Sequence, residues 1–128
     1  MEPRQAVRAL AALAQETRLA VFRLLVEAGP NGLNAGSIAA RLRVPPSTLS
    51  FHLKELDRAG LVRSWRRARL VFYAAEFETL RRLLMFLTED CCSGRSEICG
   101  DVVRLAEQVT DRAETRLPGV VSGKICGE

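Results

Sequence analysis

The chain has 128 residues, 48% of them apolar and 27% charged, which suits one domain with a real core and excludes a disordered polymer. Five prolines and nine glycines are too few for a collagen-like or low-complexity chain. No apolar run approaches the roughly 20 residues of a membrane span. No apolar stretch follows Met1-Glu2-Pro3-Arg4 as an export signal requires, so the expected location is the cytosol.

The formal charge is +4, unevenly spread. From Arg41 to Arg69 stand eight basic residues against two acids, Glu55 and Asp57, so that stretch carries +6 and the rest −2. On charge alone such a block is either an anion-binding face or an ordinary solvated surface. Nucleic acid is the first candidate partner.

In chain order, Val7, Leu10, Leu13 and Ala14 recur at helical spacing, and Leu19, Phe22, Leu25 and Val26 repeat the pattern. Gly29-Pro30-Asn31-Gly32 ends the second helix. Asn34 is placed to cap a short helix carrying Ile38 and Leu42. After Val44-Pro45, Pro46 fits the first position of a fourth helix, where its missing N–H costs nothing. That helix buries Leu49, Leu53 and Leu56 and stops at Gly60.

The period then shortens. Leu61–Trp65 and Leu70–Tyr73 read as two strands joined at Arg66-Arg67-Ala68-Arg69. Helix returns from Glu76 to Glu89, with Phe77, Leu80, Leu83, Leu84 and Leu87 on one face. Met85 and Phe86 make it apolar beyond one stripe, which predicts that a second chain covers it. A break at Ser93–Ser96 precedes a last helix with Val102, Leu105, Ala106 and Val109, ending before Pro118-Gly119, and a tail expected to be loose.

The third and fourth helices flank the short turn Arg43-Val44-Pro45-Pro46, and a hairpin follows. The predicted fold is mostly α with a small β-hairpin: a winged helix-turn-helix. Burying the three leucines leaves Ser47, Thr48, Ser50, Phe51 and Lys54 outward, with His52 at the margin. Short hydroxyls at a helix N-terminus suit base edges and phosphates in a major groove. Phe51 fits either a thymine methyl or packing on the hairpin. His52 is expected to be structural. Arg66, Arg67 and Arg69 in the wing suit phosphates or a narrow minor groove. No nucleophile-base pair, phosphate loop or carboxylate-histidine set argues for an enzyme.

Leu13-Ala14-Gln15-Glu16-Thr17-Arg18-Leu19, Ser47-Thr48-Leu49-Ser50-Phe51-His52-Leu53-Lys54, and Ala59-Gly60-Leu61-Val62 resemble the ArsR/SmtB family of bacterial winged-helix repressors, over roughly Leu10 to Leu87. The resemblance implies a homodimer, joined through its terminal helices, that binds an inverted-repeat operator in double-stranded DNA. It also implies release when a metal or metalloid binds. The division is then 1–90, for DNA binding and dimerisation, and 91–128, for a thiol sensor segment and tail. The chain departs from the family at Gln15 and Pro45, where caps look weak, and at Phe51, where histidine is common. It departs again at Ala68, which replaces a wing glycine, so the wing is expected to use a turn that alanine tolerates.

Two sensing sites of the family are missing. Leu33–Ile38 lacks the cysteine pair of one arsenite-responsive group, and the single histidine cannot build the zinc site of another. Four cysteines remain, all after residue 90. Cys91, Cys92 and Cys99 resemble the thiolate triad of a further arsenic-responsive subgroup, and Cys126 is expected to be a bystander. Three soft thiolates without imidazole favour a thiophilic centre such as arsenic(III), as arsenite or an organic arsenical. Arg95 would favour the thiolate form. In an unbroken helix Cys91 and Cys99 would stand about 12 Å apart, so a triad needs a bend, and Ser93-Gly94 is its expected place. A thiol-redox switch and a cadmium or lead site are the alternatives on the same scaffold.

Overall fold

The computed structural model describes residues 1–89 and, beyond them, Gln108. The cysteine segment and the last predicted helix therefore lie outside the described residues. The elements run α1 (Pro3–Leu13), α2 (Glu16–Ala28), β1 (Leu33–Asn34), α3 (Ala35–Leu42), α4 (Pro46–Arg58), β2 (Val62–Arg67), β3 (Leu70–Ala75) and α5 (Phe77–Thr88). The three strands form an antiparallel sheet in the order β1-β3-β2. This is the expected winged helix-turn-helix, with a first strand of two residues that the sequence pattern did not reveal.

The core is mainly aliphatic, with Phe22 and Phe77 added. Val21 and Leu25 of α2, Ile38 of α3, Leu49, Leu53 and Leu56 of α4, and Leu61 are all fully buried. Each such side chain contributes roughly 1.5–3 kcal/mol of burial. They fix α3 and α4 on α2 and leave the opposite side of α4 to solvent.

Several local signals act as read. Asn34 Oδ1 accepts the Ser37 N–H at 2.9 Å and starts α3, and Pro46 opens α4. At the end of α4, Gly60 takes φ 75°. Its N–H bonds to Asp57 O at 2.9 Å and that of Leu61 to Leu56 O at 3.0 Å, which satisfies two helix-end carbonyls. Gly32 is fixed by contact: a Cβ there would meet Tyr73 O at 2.2 Å, because the chain passes against the central strand.

Four expectations are corrected. The apolar stripe of α1 faces the core only at Leu13. Ala6, Ala9 and Ala12 are buried, while Val7 is 66% and Leu10 41% exposed. α1 packs against α2, α4 and α5, and small alanines let those backbones approach where Val7 and Leu10 would not fit. In α5, Phe77 and Leu83 are buried and Leu80 and Phe86 pack on the core, but Leu87 is exposed with Met85. Gln15 is a working cap, since its Oε1 accepts the Arg18 N–H at 2.8 Å. Pro45 does lack a side-chain cap.

The fourth correction is the wing. Arg66 and Arg67 belong to β2 and pair with Val71 and Leu70, so the turn is only Ala68-Arg69. Both take positive φ, 50° and 75°, the geometry of a two-residue turn that follows strand twist. Alanine does not escape the steric cost there. It bears about 1 kcal/mol that glycine would avoid.

Candidate nucleic-acid interface

α4 presents two chemically distinct sides. Leu49, His52, Leu53 and Leu56 are buried. Ser47, Thr48, Ser50, Phe51 and Lys54 are exposed, as the spacing predicted. Ser47, Phe51, Lys54 and Arg58 recur at intervals of three and four, so they form one stripe along the helix. Arg58 extends that stripe by a turn. In the sequence it is one of the eight basic residues between Arg41 and Arg69, and the i, i+4, i+7, i+11 spacing marks its place.

Phe51 is 57% exposed and lies outside the packed core. Its ring contact is edge-on to His52, with centroids 5.4 Å apart, and not to the aromatic residues of the hairpin. A large apolar side chain is thus offered to solvent on a face otherwise made of hydroxyls and cations.

His52 is structural, as expected. It is buried to 9% exposure, and Arg18 Nη1 lies 3.2 Å from its Nδ1. Burial, and then the Arg18 charge, lower its pKa from 6.5, against a smaller opposing effect of Glu55. The neutral ring accepts from the guanidinium, so the remaining proton sits on Nε2.

The wing divides its arginines by register. Side chains alternate along a strand, so Arg66 shares a face with Val71 and Tyr73, and Arg67 shares the opposite face with Trp65 and Phe72. The Val71 and Tyr73 face closes on the N-terminal half of α4, where they line a cleft with Pro46, Leu49, Ser50 and Leu53. Arg66 therefore projects from the same face of the wing that packs on α4. Arg63 is otherwise engaged: it donates to Pro30 O at 2.9 Å and stacks over Trp65, which lies on Phe72. That ladder stiffens the wing base and engages the Arg63 side chain, although the residue stays exposed. Arg66, Arg67 and Arg69 are exposed, and their side chains make no hydrogen bond or ion pair among the described residues.

Cys91, Cys92, Cys99 and Cys126 lie outside the described residues. Among the described residues no group of three or more His, Cys, Asp or Glu is placed to hold a metal ion, and no helix is long and apolar enough to cross a membrane.

Comparison with known proteins agrees with this geometry. A profile described as a helix-turn-helix domain matches residues 13–64. The transcriptional activator HlyU of Vibrio cholerae serotype O1 is 34% identical over 88 residues, which are 69% of this chain and 79% of HlyU. The chain belongs to the ArsR family of winged helix-turn-helix transcriptional regulators. A structure of reduced HlyU superposes with a TM-score of 0.54 at 35% identity, covering 69% of this chain and 90% of that one. An ArsR-like transcriptional regulator from Rhodococcus sp. RHA1 gives 0.62 at 27% identity, over 76% and 89%. AntR, an antimony-specific transcriptional repressor, gives 0.52 at 27% identity, over 72% and 79%. The chain is thus a DNA-binding transcriptional regulator of a family without enzymatic activity.

Proposed function

We propose that the protein is a homodimeric repressor that releases an inverted-repeat operator when arsenic(III) binds Cys91, Cys92 and Cys99. The observation that carries the DNA half is the exposed face of α4, with hydroxyls, Phe51 and cations on the side away from the buried Leu49, Leu53 and Leu56. Ser47, Thr48, Ser50 and Phe51 meet base edges. Lys54, Arg66, Arg67 and Arg69 hold phosphates and fix the register. The copies join through the outer sides of α1 and α5, where Val7, Leu10, Met85 and Leu87 are exposed. Four large apolar side chains on two neighbouring helices suit a protein partner better than water.

The sensing half rests on donor chemistry. Three thiols and no imidazole suit a soft, three-coordinate centre. Arsenite would form three As–S bonds, each thiol giving up its proton as three waters leave. A relative specific for antimony, arsenic's heavier congener with the same appetite for thiolates, supports this choice. A second reading, a thiol-disulfide switch, is favoured by the relative whose solved form is described as reduced. That HlyU is an activator makes the sign of regulation a matter for test.

The test is fluorescence anisotropy of the reduced protein on a duplex from its own upstream region, titrated in parallel with arsenite, an organic arsenical, cadmium and diamide. Release by arsenite, lost on Cys91→Ser, Cys92→Ser or Cys99→Ser, is the expected result. Release by diamide alone would move the protein to the redox class. A reporter driven from the same region reads the sign: repression predicts low output that arsenite raises.

A further inference from the structure

The motif Thr17-Arg18-Leu19 is not absorbed by DNA contact or by the core, yet Arg18 makes an unusual set of bonds. Its backbone N–H is capped by Gln15. Its Nε donates to Ala12 O at 2.7 Å, a carbonyl in the last turn of α1. Its Nη1 lies 3.2 Å from His52 Nδ1, in the middle of α4. One planar guanidinium thus joins the end of α1, the start of α2 and the reading helix. It forms no ion pair among the described residues, so its side-chain partners are a carbonyl and a ring nitrogen. A lysine ammonium is a single point and cannot span both.

The groups around this joint are few. Arg18 comes from α2 and Glu55 from α4. From α1 come the Ala12 carbonyl and Arg8, which lines a cleft of about 480 Å³ with Arg18, Glu55 and Arg58. On its outer side the same α1 carries Val7 and Leu10.

We propose that Arg18 and His52 are a positioning pair: a strut that sets the angle of the reading helix against α1, and so the spacing of the two reading heads, without touching DNA. This rests on the dimeric, DNA-binding reading above. It requires His52 Nδ1 to accept, so the ring must be neutral. A proton on Nδ1 would face the guanidinium and open the strut. Acid would then weaken operator binding through a residue that makes no contact with it.

Two measurements separate the strut from its consequence. Ring-nitrogen NMR of the full chain, without DNA, reads the strut: wild type shows the Nε2–H tautomer at pH 7.5, and Arg18→Lys loses that preference. Anisotropy on the upstream duplex reads the consequence. Arg18→Lys and His52→Leu weaken specific binding by about tenfold or more, in the range of ordinary coupling between sites. His52→Asn, whose Oδ1 replaces Nδ1 as acceptor, restores most of it. Wild type loses affinity from pH 7.5 to 5.5 more steeply than His52→Asn. If Arg18→Lys binds as wild type does, or wild type and His52→Asn share one pH profile, the positioning role is overturned. A wild type that keeps the NMR signature yet binds no duplex would instead sink the DNA reading, and the proposed role with it.

Discussion

The protein exposes two surfaces that differ in chemistry. On α1 and α5 four large apolar residues, Val7, Leu10, Met85 and Leu87, are exposed among polar neighbours such as Arg4 and Arg82. On α4 and the wing they are hydroxyls, Lys54 and arginines, with Phe51 as the one large ring. The first surface gains by leaving water and so calls for a second protein surface. The second is well solvated alone and gains by exchanging water and counterions for phosphates and base edges. Exposure by itself is uninformative; what is exposed separates the face proposed to join copies from the face proposed to read DNA.

The sharpest way to break this comparison is to charge the first surface. Val7→Glu with Leu87→Glu should give a monomer by light scattering and keep the helical circular dichroism of the fold. Operator affinity should drop by about 10²–10⁴, the benefit of linking two half-site binders. Charging the face without loss of the dimer would show that the copies join elsewhere.

Smaller effects sharpen the second surface. Ser50→Ala or Phe51→Ala should cost roughly 1–3 kcal/mol of operator discrimination if the side chain reads a base, with dimer mass unchanged. Arg66→Ala should weaken binding across sequences alike and flatten the log–log salt dependence by about one unit. If Arg66→Ala altered base preference and left the slope alone, the wing would be a reader and not an anchor.

The wing turn offers a gain. Ala68→Gly should raise stability by about 1 kcal/mol in urea unfolding, because a positive-φ position loses its Cβ clash. The pH effect is the smallest. The His52 pKa is lowered in the folded chain, so the unfolded chain binds the proton more readily. That contribution is complete above the unfolded value of 6.5 and is lost as pH falls through the folded value. The Tm should therefore decline on acidification below about pH 6.5, and His52→Asn should decline less over the same interval.

What could be read in the sequence follows burial chemistry. Leu49, Leu53 and Leu56 are large, apolar and periodic, and Pro46 and Gly60 bracket them, so α4 and its outward face were legible at once. The same rule misled at α1. It takes Val7 and Leu10 for the buried stripe, but alanine is small enough to bring helices together and the bulkier stripe turns outward. β1 has two residues and exists only because β3 lies beside it, so no local period announces it. Gln15 caps with a side chain seldom preferred for capping, and Ala68 adopts a conformation that alanine disfavours. In both cases tertiary context overrides propensity. The Arg18–His52 contact joins residues 34 apart in sequence and carries no pattern that a linear reading could find. The proposed thiol triad is the reverse case: Cys91, Cys92 and Cys99 are conspicuous in sequence and lie outside the described residues.

The most direct test of two surfaces with two tasks is hydroxyl-radical footprinting of the reduced protein on its upstream duplex. Two protected segments are expected on one face of the DNA, about one helical turn apart, as two joined copies each place α4 in the major groove. Both should vanish together in the Val7→Glu, Leu87→Glu protein at the same concentration. A single protected segment, or a double footprint that the charged variant still gives as a monomer, would contradict it.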